Sequence, residues 1–201
     1  MRRLVLLASS AILIAAPLSA SLGQGDLGMK PAQPPAPAEA GRRATLDDLF
    51  SRLAAAKDEA EAKGVANLIE RRWSRSGSDT ADLLLTRASD AIQKKEYPLA
   101  IELLDRVISL QPDWAEAWNR RATAFFLLED TASSMADLRQ VLKREPRHFG
   151  AWAGLGHIYN SGGDKGRALE AYRRALAINP HMEMLRGLVD RLTPEIDGRD
   201  I

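Results

Sequence analysis

A period of 34 residues governs most of this chain and limits what it can become. Pro112, Pro146 and Pro180 are 34 residues apart, and so are Leu84, Trp118 and Trp152. The same spacing relates Ala88, Ala122 and Gly156, and also Ala100, Ser134 and Ala168. Ala91, Phe125 and Tyr159 share the register with Leu104, Leu138 and Tyr172, and Val107, Val141 and Ala175 complete it. Agreement at this many positions marks an internal repeat, in which each unit buries its apolar face against its neighbours. Within a unit the composition favours helix. Ala, Leu, Arg and Glu are frequent, and these side chains lose little freedom in a helical turn.

The pattern inside each unit predicts two antiparallel helices. Large apolar residues fill the space between them, and small ones stand where the backbones approach. Proline closes each unit, because it cannot continue a helix and biases the residue before it to extended form. In the last unit Gly162-Gly163 makes the turn between helices and Asn179-Pro180 ends the second helix. Asp113-Trp114-Ala115-Glu116 reads as an N-cap acid with a reciprocal glutamate.

Residues 81–114, 115–148 and 149–182 resemble three consecutive tetratricopeptide repeats. The third is closest to the family pattern, at Trp152, Leu155, Gly156, Tyr159, Ala168, Tyr172, Ala175 and Pro180. The first two depart where Arg87 and Arg121 replace the usual leucine, and their stems are expected to cover apolar surface while the heads reach water. The resemblance implies an all-α fold, a right-handed helical-repeat solenoid of antiparallel helix pairs.

The flanks complete the domain plan. Residues 1–21 have the layout of a secretory signal peptide: Arg2 and Arg3, an apolar run from Leu4 to Leu18, then small residues. The run is shorter than the roughly 20 residues that span a bilayer, which favours cleavage over an uncleaved anchor. Cleavage after Ala20, Ser21 or Gly23 fits, and the chain is then expected in the periplasm with no membrane insertion. Residues 22–43, with Pro31, Pro34, Pro35 and Pro37, read as a disordered linker. Residues 44–80 read as a degenerate leading pair: Leu46, Leu49, Phe50 and Leu53 on one helix, capped by Thr45 with Asp48, then Val65, Leu68, Ile69 and Trp73 on a second, capped by Asp58 with Glu61. Ser76-Gly77-Ser78 takes the place of the closing proline. Residues 183–201 supply a C-terminal capping helix with Met184, Leu185, Leu188, Val189 and Leu192, stopped by Thr193-Pro194, and a loose tail.

No constellation for catalysis stands out, so the chain is read as a non-enzyme. It has no cysteine, which removes thiolate chemistry and Cys-ligated zinc. His148, His157 and His181 do not fit metal-ligand spacing, and no metal or cofactor is expected. His148 and His181 fall after closing prolines, where an exposed polar residue is ordinary. With 28 Lys and Arg against 27 Asp and Glu, no net field draws the chain to nucleic acid.

What remains is a surface. The family resemblance implies a concave groove lined by first helices that binds a protein or peptide partner. Carried over residue by residue, it comprises Asp82, Leu85 and Ser89, then Asn119, Arg120, Thr123 and Phe126, then Ala153, His157 and Asn160. The same mix is also what a solvated helix face would carry. Where some members grip a C-terminal carboxylate, this chain has Leu85, Ser89, Gly150 and Gly154, with only Asn119 matching, so no such clamp is expected. The expected role is an adaptor or assembly factor in the cell envelope. A self-associating scaffold and a non-catalytic regulatory subunit of an envelope enzyme are the alternatives.

Overall fold

The computed structural model describes residues 45–197, and the segments read as signal peptide and Pro-rich linker lie outside them. Among the described residues the regular elements are all α-helices: α1 (Leu46–Ala54), α2 (Glu59–Trp73), α3 (Asp79–Gln93), α4 (Tyr97–Leu110), α5 (Ala115–Leu127), α6 (Thr131–Arg144), α7 (Phe149–Ser161), α8 (Lys165–Ile178) and α9 (Glu183–Asp197). The 34-residue period is carried directly into these boundaries. The second helices begin at Tyr97, Thr131 and Lys165 and end at Leu110, Arg144 and Ile178. Consecutive helices from α3 to α9 pack on one another in chain order, which makes the fold a helical-repeat solenoid.

The turn inside each unit shows why the period holds. Lys95, Glu129 and Gly163, spaced by 34 residues, all have positive φ, at 62°, 65° and 81°. The amides of Glu96, Asp130 and Asp164 then donate back to the carbonyls of Ala91, Phe125 and Tyr159, each at 2.9 Å. This is the left-handed closure that satisfies the last carbonyls of a helix. Aspartate follows in two of the three units and caps the next helix. Asp130 accepts from the Ser133 amide and Asp164 from the Arg167 amide, both at 3.0 Å.

Between units, the closing proline does more than end a helix. The indole Nε1 of Trp118 donates to the carbonyl of Pro112 at 2.9 Å, and that of Trp152 to the carbonyl of Pro146 at 3.0 Å. One residue pair, repeated, fixes how each first helix leaves the preceding unit. Within units, small faces large. Ala88 lies in one cluster with Leu104, and Ala122 in one cluster with Leu138. In the third unit the large partner is Tyr172, and a Cβ on Gly156 would stand 2.4 Å from two of its ring carbons. Glycine is therefore the complement of the larger ring.

Four local expectations change. Arg121 does not send its head to water: its Nε and one terminal nitrogen donate to the buried Asp137 at 2.7 and 2.8 Å, and the other reaches Asp105 at 2.5 Å. The guanidinium also lies 4.9 Å over the Trp118 ring, so it ties α4, α5 and α6 together. Arg87 has no acid at the place equivalent to Asp137, where Leu103 stands, and it is exposed. Asp113 does not cap α5; Trp114 occupies that position with no side-chain cap, and Glu116 turns into the interior instead. Thr193-Pro194 does not stop α9, which continues to Asp197. Proline there forfeits one backbone bond, while Ile196 packs on the Tyr172–Leu185–Leu192 cluster and Lys165 pairs with Glu195.

The fourth change concerns the leading pair. α1 and α2 form with the expected caps: the Asp48 amide donates to Thr45 Oγ1 at 3.1 Å, and the Glu61 amide to Asp58 Oδ1 at 2.8 Å. The pair is not stacked ahead of the first repeat. Its core of Leu49, Phe50, Leu53, Val65, Ile69 and Trp73 closes on Phe149, Ile178 and Met182. These residues stand where second helices hand over to first helices, so the hairpin lies along that edge of the stack.

Two outcomes test this packing. Gly156→Ala should cost about 1–3 kcal/mol by overpacking against Tyr172, and Tyr172→Leu in the same chain should recover most of it, by thermal or urea unfolding. Full cost in both backgrounds would contradict the pairing. Glu129→Gly should raise stability by roughly 0.5 kcal/mol, since relief of left-handed strain exceeds glycine's entropy cost.

Candidate functional site

A cavity opens between α5 and α7. Asn119, Thr123 and Phe126 stand on one wall, and Gly150, Gly154 and His157 on the other. Ala122, Ser134, Leu138 and Ile158 form the floor of a cavity of about 210 Å³. The cavity exists because α7 presents two glycines four residues apart on one helical face. A Cβ on Gly154 would meet Leu138 Cδ1 at 3.2 Å, while one on Gly150 would meet only the His148 ring, at 3.4 Å.

The polar atoms of the walls are mostly engaged, which leaves the pocket neutral. The floor hydroxyl of Ser134 donates to the Ala122 carbonyl at 2.8 Å, and Thr123 donates to the Asn119 carbonyl at 3.0 Å. The Asn119 side-chain Nδ2 donates to Glu116 Oε2 at 3.1 Å. His157 Nδ1 lies 3.0 Å from the Tyr172 hydroxyl. Burial lowers the pKa of His157 and raises that of Tyr172, so the neutral pair is favoured. No Lys or Arg lines the cavity among the described residues. Phe126 stands 44% exposed at the rim.

The groove residues carried over from sequence thus separate. Asn119, Thr123, Phe126 and His157 are brought together around one cavity. Arg120 is not on its walls; its Nε donates to Glu116 at 2.6 Å. Asp82 accepts from the Ser76 amide and hydroxyl at 2.8 and 2.6 Å and closes the α2–α3 connection. Leu85 is buried in the first unit's core with Ala88 and Leu104, so it packs and offers nothing to a ligand. Ser89 donates to the Leu85 carbonyl at 2.9 Å. Ala153 is buried in the third unit's cluster. Asn160 lines a separate depression with Lys165, Leu188, Arg191 and Leu192.

Beside the cavity lies a polar cluster that sequence reasoning did not foresee. His148 is buried, not exposed: its Nδ1 accepts from the Ala151 amide at 3.0 Å and so caps α7. That bond leaves the proton on Nε2, 3.4 Å from Glu116. The Trp73 indole of α2 stacks on the imidazole, with centroids 4.2 Å apart and planes 10° from parallel. The Trp114 indole donates to the Trp73 carbonyl at 2.6 Å, and Arg147 pairs with Asp47 at 2.7 Å while lying over the Phe50 ring. Burial acts to raise the Glu116 pKa, but the His148 hydrogen bond and the Arg120 charge outweigh it and hold the carboxyl below its usual value. Glu70 on α2 shifts the other way, first through burial and then through the Glu116 charge. Four aromatic residues outside the repeat positions, Phe50, Trp73, Trp114 and Phe149, were the available signal.

A stack of antiparallel helix pairs at a fixed period, with a cavity between successive first helices, defines a repeat solenoid. The family profile of the tetratricopeptide repeat matches residues 85–137 and 128–183. A TPR repeat-containing protein of Rhizobium etli is 41% identical over 153 residues, covering 76% of this chain and 75% of its own length. The chain belongs to the tetratricopeptide-repeat family. The small glutamine-rich tetratricopeptide repeat-containing protein 2 of Mycosarcoma maydis is 31% identical over 106 residues, 53% of this chain and 30% of that protein. Among solved structures, the first TPR of Spaghetti bound to an HSP90 peptide superposes with a TM-score of 0.56 at 18% identity, covering 60% of this chain and 95% of that one. MamA gives 0.55 at 20% identity, covering 75% and 85%. Likeness at this level of identity shows the shared fold.

The raised Glu70 pKa has a measurable sign. Its ionised form is disfavoured in the folded chain, so Glu70→Gln should raise the melting temperature at neutral pH. The gain should vanish as acidification protonates the wild-type carboxyl. A gain that persists at low pH would place the effect elsewhere than in the charge.

Proposed function

We propose that this chain is a protein-binding module that takes an extended partner segment along the groove face, seating one apolar side chain between α5 and α7. The observation that carries the reading is the neutral cavity of about 210 Å³ opened by Gly150 and Gly154 and flanked by the exposed Phe126. An apolar side chain gains from such a site by leaving water, and an aromatic at the rim supplies contact area with few rotamers to freeze. The walls hold no cation to fork a terminal carboxylate, so the seated segment is an internal one. A fold neighbour in complex with an HSP90 peptide supports the general mode. The work of this chain is binding, as adaptor or assembly factor, and catalysis belongs to whatever it binds.

Export to the cell envelope is part of the same proposal. It rests on Arg2, Arg3 and the apolar run from Leu4 to Leu18. Mass spectrometry of the exported protein should find a new N-terminus between residues 21 and 24, and an intact Met1 on membrane-bound material would contradict it.

A photo-crosslinking residue tests the face. Placed at Thr123, it should capture a partner in cells, whereas at Arg139, on a second helix, it should not. Gly150→Leu should fill the cavity and abolish capture at 123 while leaving the melting temperature unchanged or higher, since glycine is the poorer helix former. Phe126→Ala should weaken binding at least about tenfold, as loss of a central aromatic anchor does. Capture at 139 alone would move the site to the outer helices.

A further inference from the structure

The first repeat has an open flank where the other two have none. On each first helix, one stripe faces the preceding unit. In α5 it includes Ala117 and Ala124, both fully buried, and in α7 it includes Ala151, Leu155 and Ile158, at 0%, 5% and 5% exposed. In α3 the equivalent positions are Leu83, Arg87, Asp90 and, one turn on, Lys94. Leu83 is 54% exposed and the three charged residues are exposed. The cause is the displaced leading hairpin. α1 and α2 share their core with Phe149, Ile178 and Met182, and no residue of α3 or α4 belongs to that core. Leu110, also 53% exposed, stands at the end of α4 that packs beside the start of α3 through Ala81, Val107 and Ile108.

The stripe selects its own occupant. Residues 83, 87, 90 and 94 follow the spacing of a single helical face. Their order is apolar, positive, negative, positive. Laid antiparallel on a second copy, Arg87 meets the other Asp90, Asp90 meets the other Arg87, and Leu83 meets the aliphatic stem of the other Lys94. A twofold interface must be self-complementary in this way. Among the described residues, neither the Arg87 nor the Asp90 side chain has a hydrogen-bond or ion-pair partner within the chain, and both are exposed. In the second repeat, by contrast, the equivalent Arg121 is already held by Asp105 and Asp137.

We propose that two copies of this chain pair through the open face of α3, antiparallel about an axis between Arg87 and Asp90. The pairing uses the stripe facing upstream and leaves the α5–α7 cavity outside the interface, so dimerisation and partner binding are separable.

Sedimentation equilibrium of the full chain tests it by charge reversal. The wild type should be a dimer at micromolar concentration. Arg87→Asp and Asp90→Arg should each raise the dissociation constant at least about tenfold, by placing like charges opposite one another. The double variant, with both charges exchanged, should return to near the wild-type value. All three carry changes at exposed positions, and circular dichroism should show unchanged helicity. A monomeric wild type overturns the proposal. So do single variants that dimerise normally, or a double variant that stays as weak as the singles.

Discussion

The close approach of the two helices in each unit is the constraint on which everything else rests. A first helix can lie against its second only where one side chain is small enough to admit the other. The chain meets this with Ala88 against Leu104, Ala122 against Leu138 and Gly156 against Tyr172. Close-packed interiors tolerate little change of volume, so the pairs must vary together. The third pair has a further result. Tyr172 carries a hydroxyl to His157 at the cavity wall, so the contact that holds the unit also fixes a residue of the groove.

Stacking then depends on a second repeated contact, from tryptophan to the carbonyl of the preceding unit's proline. With the stack set, the glycines of α7 acquire their meaning. Three of them in 13 residues weaken the helix as an isolated element. One admits Tyr172, and the other two leave the space between α5 and α7 open. The hairpin α1–α2 closes the neighbouring edge through stacking of Trp73 on His148, the hydrogen bond from Trp73 to Glu145 and the ion pair of Arg147 with Asp47. It thereby borders the groove at one end, and its departure from the head of the stack leaves α3 uncovered.

Much of this was legible in the sequence because it is local or periodic. Prolines, caps at Thr45 and Asp58, and the small-against-large register all act within one unit or between neighbours. What escaped depends on long-range partners with no period. The hairpin is placed by contacts such as Trp73 to Glu145 and Arg147 to Asp47, 72 and 100 residues apart. Arg121 looked like a snorkelling side chain until Asp105 and Asp137 converged on it from two helices. His148 looked exposed because its stacking partner belongs to a different element. The groove was mapped as a strip of first-helix residues, but only four of them surround a cavity. The missing side chains at Gly150 and Gly154, read as the lack of a carboxylate clamp, are what create that cavity.

The central claim is that the space between α5 and α7 receives a partner's side chain. Hydrogen exchange on the chain with and without its captured partner tests this most directly, because amide protection reports which helices are covered and held. The account predicts added protection concentrated in residues 119–126 and 150–157, with α6 and α8 little changed on their outer faces. Protection confined to α6 and α8, with α5 and α7 exchanging as in the free chain, would contradict it.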